Sequence, residues 1–158
     1  MLLKSYEGSF DGSGEPVLTY YSKDGSKNGN CTVGWGHLVN SGPCHSKIRG
    51  KSITREEAES LFAGDLANHE NNVRKHVGIK LYQNEFDALV ILDFNYPLGS
   101  KSTPKLLRAL HTLRTPRADF KGIIREWMNI LGAPGLAARR IDELEVFFFG
   151  QYGRGKNR

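Results

Sequence analysis

Apolar and polar positions change rhythm about a third of the way along the chain. Between Gly8 and Gly50, short apolar stretches (Val17-Leu18, Tyr20-Tyr21, Val33, Trp35, Leu38-Val39) are separated by turn signals at Asp11-Gly12, Asp24-Gly25 and Asn28-Gly29. Glycine and asparagine tolerate the positive φ angles of tight hairpins, so this stretch predicts short strands joined by turns. From Lys51 the period becomes helical. Thr54-Arg55-Glu56-Glu57 has the form of a capping box, followed by a stripe of Ala58, Leu61, Phe62, Leu66 and Val73. A second helix is expected from about Gln83, with Phe86, Leu89, Val90, Leu92 and Phe94, ending before Pro97. Thr103-Pro104 reads as an N-cap followed by a first-turn proline, opening a helix with Leu106, Leu107, Leu110 and Leu113. Pro116 is expected to open another, carrying Phe120, Ile123, Ile124, Trp127 and Leu131, and the last runs from about Gly135 to Phe149 before Gly150. The expected class is α+β, mainly α, in one domain over 1–158. It divides into a β-rich lobe (about 8–50), a helical lobe (51–150) and a basic stretch (151–158), with a cleft expected between the two lobes.

Composition narrows the function classes. At 158 residues and 39% hydrophobic positions the chain is of single-domain size and long enough for a core. Its apolar runs, Ala88 to Leu92 and Val146 to Phe149, are far shorter than the roughly 18 residues of a membrane span. The opening MLLKSYEG lacks the basic and apolar regions of a secretion signal. The net charge of +5 suits an anionic partner such as nucleic acid, membrane or cell-wall polymer. Arg154, Lys156 and Arg158 supply three of those charges without an intervening acid, so the body is nearly neutral and specificity has to come from a site. No helix concentrates Lys and Arg with interleaved aromatics, which argues against nucleic acid. Cys31 and Cys44 lack the His/Cys spacing of a zinc site. They are compatible with one disulfide or with two buried thiols.

Candidate chemistry gathers in the first forty residues. Glu7 precedes Gly8 at the entrance to the β-rich stretch, with Tyr6, Phe10 and Trp35 available to desolvate it. Such surroundings disfavour a charged carboxylate and suit a general acid. Asp24 and Thr32 could face the same site from adjacent strands, although Asp24 also fits a turn before Gly25. Glycosidic bond hydrolysis uses this set: one acid protonates the leaving oxygen, and an ionised carboxylate assisted by a hydroxyl positions water on the opposite face of the sugar.

The string from Glu7-Gly8 through Tyr and Asp to Thr32-Val33-Gly34-Trp35-Gly36-His37-Leu38-Val39 resembles the phage-type lysozymes, the endolysin muramidases of glycoside hydrolase family twenty-four. The resemblance continues through Ser52 to Glu59, Leu61-Phe62, Asp65-Leu66, Gln83 to Val90, Phe94-Asn95, Gly99, Gly135-Leu136, Arg139-Arg140 and Glu143, in order over residues 7–150. It implies a lysozyme-like two-lobed fold and a catalytic set of Glu7, Asp24 and Thr32. Asp24 stands further from Tyr21 and Thr32 than the family pattern places it, so the turn is read as lengthened over 26–30, with Asp11 and Glu15 as alternative acids. Trp35, His37 and Asn95 are candidate substrate-binding residues. Core packing for Trp35, wall-fixing for His37 and a capping amide for Asn95 are the competing structural roles. Arg139, Arg140 and Glu143 are expected to form an ion-pair set, and Trp127 to lie in the core. The implied activity is cleavage of the β-1,4 bond between N-acetylmuramic acid and N-acetylglucosamine by a monomer needing no metal or cofactor. A lytic transglycosylase and a non-catalytic, cell-wall-binding or membrane-active antibacterial module are the rivals. The expected place of action is the bacterial periplasm and wall, with synthesis in a host cytoplasm or export through an upstream segment. Stable membrane insertion is not expected, and the basic stretch is a candidate contact with an anionic envelope.

Overall fold

The computed structural model describes residues 2–8, 13–22, 29–130 and 135–153. Asp24, Asp11, Leu131 and the basic residues at 154, 156 and 158 therefore lie outside the described residues. The elements follow in the order α1 (Leu2–Glu7), β1 (Val17–Ser22), β2 (Cys31–Gly34), β3 (His37–Asn40), α2 (Arg55–Val77), α3 (Gln83–Asn95), α4 (Pro104–Leu110), α5 (Phe120–Met128) and α6 (Leu136–Phe149). They divide into two compact units, residues 1–65 and 66–158, with the boundary inside α2.

In the first unit the strands form an antiparallel meander in the order β1-β2-β3. Thr32 stands on the middle strand, paired with Tyr21 on one side and Leu38 on the other. The outer edge of β1 is occupied by the segment before α2. Tyr20 N donates to Lys51 O (3.0 Å) and Ile53 N to Leu18 O (2.9 Å), which satisfies backbone groups that a bare edge would expose. Trp35, read as part of a strand, sits instead in the tight turn between β2 and β3. Gly36 there has φ +83°, a conformation that side chains with a Cβ rarely adopt. Leu2, Leu3, Val33, Trp35, Ala58 and Phe62 are buried, and the Trp35 and Phe62 ring centroids lie 5.4 Å apart. Cys31 and Cys44 are joined as a disulfide, with Cα atoms 4.6 Å apart.

The capping box forms as the sequence spells it. Glu57 N donates to Thr54 Oγ1 at 3.1 Å, and Thr54 N donates to the Glu57 carboxylate at 2.7 Å. Two other helix starts differ from expectation. The Thr103 hydroxyl does not cap α4: it accepts from Gly99 N and donates to Ser100 O, closing the preceding turn. Helix α5 begins at Phe120 rather than at Pro116, because the Asp119 carboxylate accepts from Gly122 N (2.8 Å) and so provides the stronger cap. In the second unit α3 packs on α6, and its run Ala88–Leu92 is buried all round, as suits a central helix. Trp127 is buried. Phe120 and Ile124, expected in the same core stripe, are exposed because α5 turns only its Ile123 and Trp127 side inward.

Candidate active site

Glu7 is the last residue of a six-residue helix, too short for hydrophobic periodicity to reveal. Leu2 and Leu3 anchor that helix in the core, and Gly8 N closes its end on Lys4 O at 2.9 Å. The chain beyond passes so closely that a Cβ on Gly8 would stand 2.6 Å from the backbone of Gly14, so only glycine fits after Glu7. One turn earlier, Lys4 Nζ lies 3.9 Å from the centroid of the Trp35 ring and pairs with Glu59. Trp35 Nε1 donates to Gly14 O at 2.8 Å. These contacts tie α1 to the β2–β3 turn. The Glu7 carboxylate reaches that turn: a Cβ on Gly36 would stand 3.8 Å from Glu7 Oε2.

The other candidates fall out differently. Thr32 is 2% exposed, and its hydroxyl donates a long 3.4 Å bond to Tyr21 O. His37 opens β3, and its Nδ1 lies 2.9 Å from Asp65 Oδ2. That partner stands 28 positions away and carries no local sequence signal. Trp35 is 2% exposed, with Lys4 over its ring and its N–H engaged, so the structure gives it a packing role. Glu15, an alternative acid, pairs with Arg55. Its hydrogen bond and then its charge hold the guanidinium pKa above the ordinary value. Asn95 belongs to the second unit, where its amide oxygen accepts from the buried Arg140. That side chain serves a polar cluster rather than a helix cap. Arg139, Arg140 and Glu143 form the expected ion-pair set, joined by Trp127 Nε1 donating to Glu143 at 2.9 Å. Among the described residues no group of three or more His, Cys, Asp or Glu side chains is arranged to hold a metal ion.

A carboxylic acid fixed at a helix end beside a strand turn, in a mainly helical chain with a three-stranded sheet, is compatible with the proton donor of glycoside hydrolysis, and the candidate second carboxylate, Asp24, lies outside the described residues. Comparison with known proteins agrees. The phage lysozyme family model matches residues 15–143. An endolysin of Acyrthosiphon pisum secondary endosymbiont phage 1 is 30% identical over 156 residues, covering 93% of this chain and 92% of that protein. An endolysin of Bacillus phage B103 is 29% identical over 155 residues, or 95% of this chain, which spans about half (52%) of that protein's length. Among solved structures, the endolysin from Escherichia coli O157:H7 phage FAHEc1 superposes with a TM-score of 0.73 over 96% of this chain and 91% of its own, at 22% identity, a likeness of fold. The muramidase domain of SpmX from Asticaccaulis excentricus gives 0.69 at 25% identity, covering 93% of this chain and 92% of its own. The chain belongs to the phage lysozyme family and is a lysozyme-type glycoside hydrolase.

Proposed function

We propose that this protein is a muramidase that cleaves the β-1,4 bond between N-acetylmuramic acid and N-acetylglucosamine in peptidoglycan, with Glu7 as the general acid. The observation that carries the assignment is the placement of the Glu7 carboxylate at the Trp35–Gly36 turn by a helix clamped through Lys4, Gly8 and Gly14. A proton donor gains most when its position is fixed before substrate arrives. Glu7 gives its proton to the glycosidic oxygen as the bond to the sugar lengthens. Asp24 accepts a proton from a water on the opposite face of the ring, and the Thr32 hydroxyl orients that water. The positive charge developing on the sugar is steadied by the ionised carboxylate, and single displacement inverts the anomeric centre. No metal or organic cofactor takes part. His37, held by Asp65, stiffens the start of β3 beside the reacting region.

The enzyme acts as a monomer on the bacterial wall from the periplasmic side. Residues 154, 156 and 158 supply a weak electrostatic contact with the anionic envelope. Digestion of lipid-free sacculi followed by mass spectrometry tests the reaction class. Reducing N-acetylmuramic acid ends are expected, whereas 1,6-anhydro ends would reassign the protein to the lytic transglycosylases.

A further inference from the structure

The core uses only part of the apolar face of α5. Ile123 and Trp127 are buried, whereas Phe120 is 51% and Ile124 43% exposed, one helical turn apart on the same side. The Phe120 ring stands edge-on to Phe148 of α6, centroids 6.1 Å apart, and Phe148 lies 6.3 Å from Phe149. Phe149 is 73% exposed. Two helices thus place four large apolar side chains on one continuous stretch of surface, a feature that calls for a partner.

Arg117 and Lys121 are exposed beside Phe120. In the sequence, the nine residues after Phe149 carry Arg154, Lys156 and Arg158 and no acid, the three lying outside the described residues. Asp119, between the two bases, caps Gly122 N and keeps its charge, while Glu126 pairs with Arg125, and Asp142, Glu143 and Glu145 each have a partner. A second copy of the chain fits this surface poorly, since a two-fold contact sets each patch against itself and brings like charges together. Exposed phenylalanines with Arg117 and Lys121 beside them and a basic sequence following match an anionic lipid surface, where rings enter the headgroup boundary and cations meet phosphates.

We propose that the face formed by Phe120, Ile124, Phe148 and Phe149 is a peripheral docking surface for an anionic phospholipid bilayer. Binding is in the plane of the membrane: no described helix is long and apolar enough to cross one. This inference is independent of the catalytic assignment, since none of these residues belongs to the unit that carries Glu7.

Co-sedimentation with vesicles tests it. At about 50 mM salt, where surface charge is weakly screened, the full chain is expected to pellet with equimolar phosphatidylglycerol and phosphatidylethanolamine. It should stay in solution with phosphatidylcholine. The double variant Ile124→Ser with Phe149→Ser should lower the partition coefficient by roughly tenfold or more, from the apolar surface withdrawn. Its circular dichroism and its digestion of lipid-free sacculi should match those of the parent. Lys121→Ser with Arg154→Ser, Lys156→Ser and Arg158→Ser should remove most of the salt dependence. Failure of the parent to pellet with the anionic vesicles overturns the proposal, as does a double variant that pellets equally well. A parent dimer in sedimentation equilibrium that the double variant dissolves would assign the face to a second copy and also overturn it.

Discussion

Glu143 is the acceptor for a whole buried cluster, and Glu143→Gln is the substitution that strikes the second unit hardest for the smallest change in shape. Its carboxylate is fully buried and accepts from Arg139 Nε at 3.0 Å, from Arg140 Nη1 at 2.7 Å through both oxygens, and from Trp127 Nε1 at 2.9 Å. Arg140 is itself 0% exposed and Arg139 5%. Glutamine keeps the volume but removes the negative charge, and it turns an N–H group toward donors that need an acceptor. The buried Arg140 guanidinium then loses its carboxylate partner, keeping only neutral acceptors at Ile130 O and Asn95 Oδ1, and Arg139 loses one of its partners. Breaking a buried pair by removing one partner costs about 3–5 kcal/mol, because the surviving charge stays desolvated. For a chain near 150 residues, each kcal/mol lowers Tm by about 2–4 °C, so a fall of roughly 6–20 °C is expected. Urea unfolding followed by tryptophan fluorescence, with calorimetry alongside, measures it: the midpoint should fall while the slope stays constant. Glu70→Gln is the control, since its 3.1 Å pair with Arg74 is an exposed helical contact worth about 0.3–0.5 kcal/mol. A Glu143→Gln loss no larger than the control's would refute the reasoning.

Three further predictions follow the same logic. Cys44→Ser opens a loop of 13-residue separation, and the closure entropy of such a loop implies a loss of about 3 kcal/mol, read by thermal unfolding with and without reductant. Thr54→Ala removes the acceptor for Glu57 N at the start of α2 and should cost about 1 kcal/mol, with Thr54→Ser restoring most of it in the same urea titration. Partial burial, and next the hydrogen bond to Asp87, push the Tyr152 hydroxyl up from 10.0 to about 12. The protonated phenol is the form favoured by folding, so its contribution to stability is complete below about pH 10 and fades as pH rises through 12. Ultraviolet titration should show a late tyrosine transition that Tyr152→Phe abolishes.

The parts of the fold that could be read from the chain are those in which local signals and tertiary packing agree. The capping box at Thr54, the Gly135 and Gly150 limits of α6 and the all-apolar run of α3 need only neighbouring residues to be recognised. The misplaced start of α5 arose where two local signals competed and an aspartate cap overrode a proline three residues earlier. At the candidate site, Glu7 ends α1 and Thr32 lies on the middle strand. The reason Glu7 is held in place could not be read, because it lies in contacts distant along the chain: Lys4 with Trp35 and Glu59, Gly8 with Gly14, and His37 with Asp65. Trp35 illustrates the ambiguity of a single aromatic letter, since the same residue fits a sugar platform or a buried wall until its N–H partner at Gly14 is seen. Asn95 likewise changed meaning once Arg140 supplied its donor.

The central claim is that the carboxyl group of Glu7 delivers the proton that breaks the glycosidic bond. The most direct measurement compares the parent with Glu7→Gln in clearing the turbidity of chloroform-treated Gram-negative cells and in releasing reducing ends from purified sacculi, with thermal unfolding as the check on folding. The amide matches the carboxylic acid in size but has no transferable proton, so Glu7→Gln should unfold at the parent's temperature and lose at least about 100-fold in rate. A folded Glu7→Gln protein that still lyses cells and releases reducing ends at the parent's rate would contradict the account.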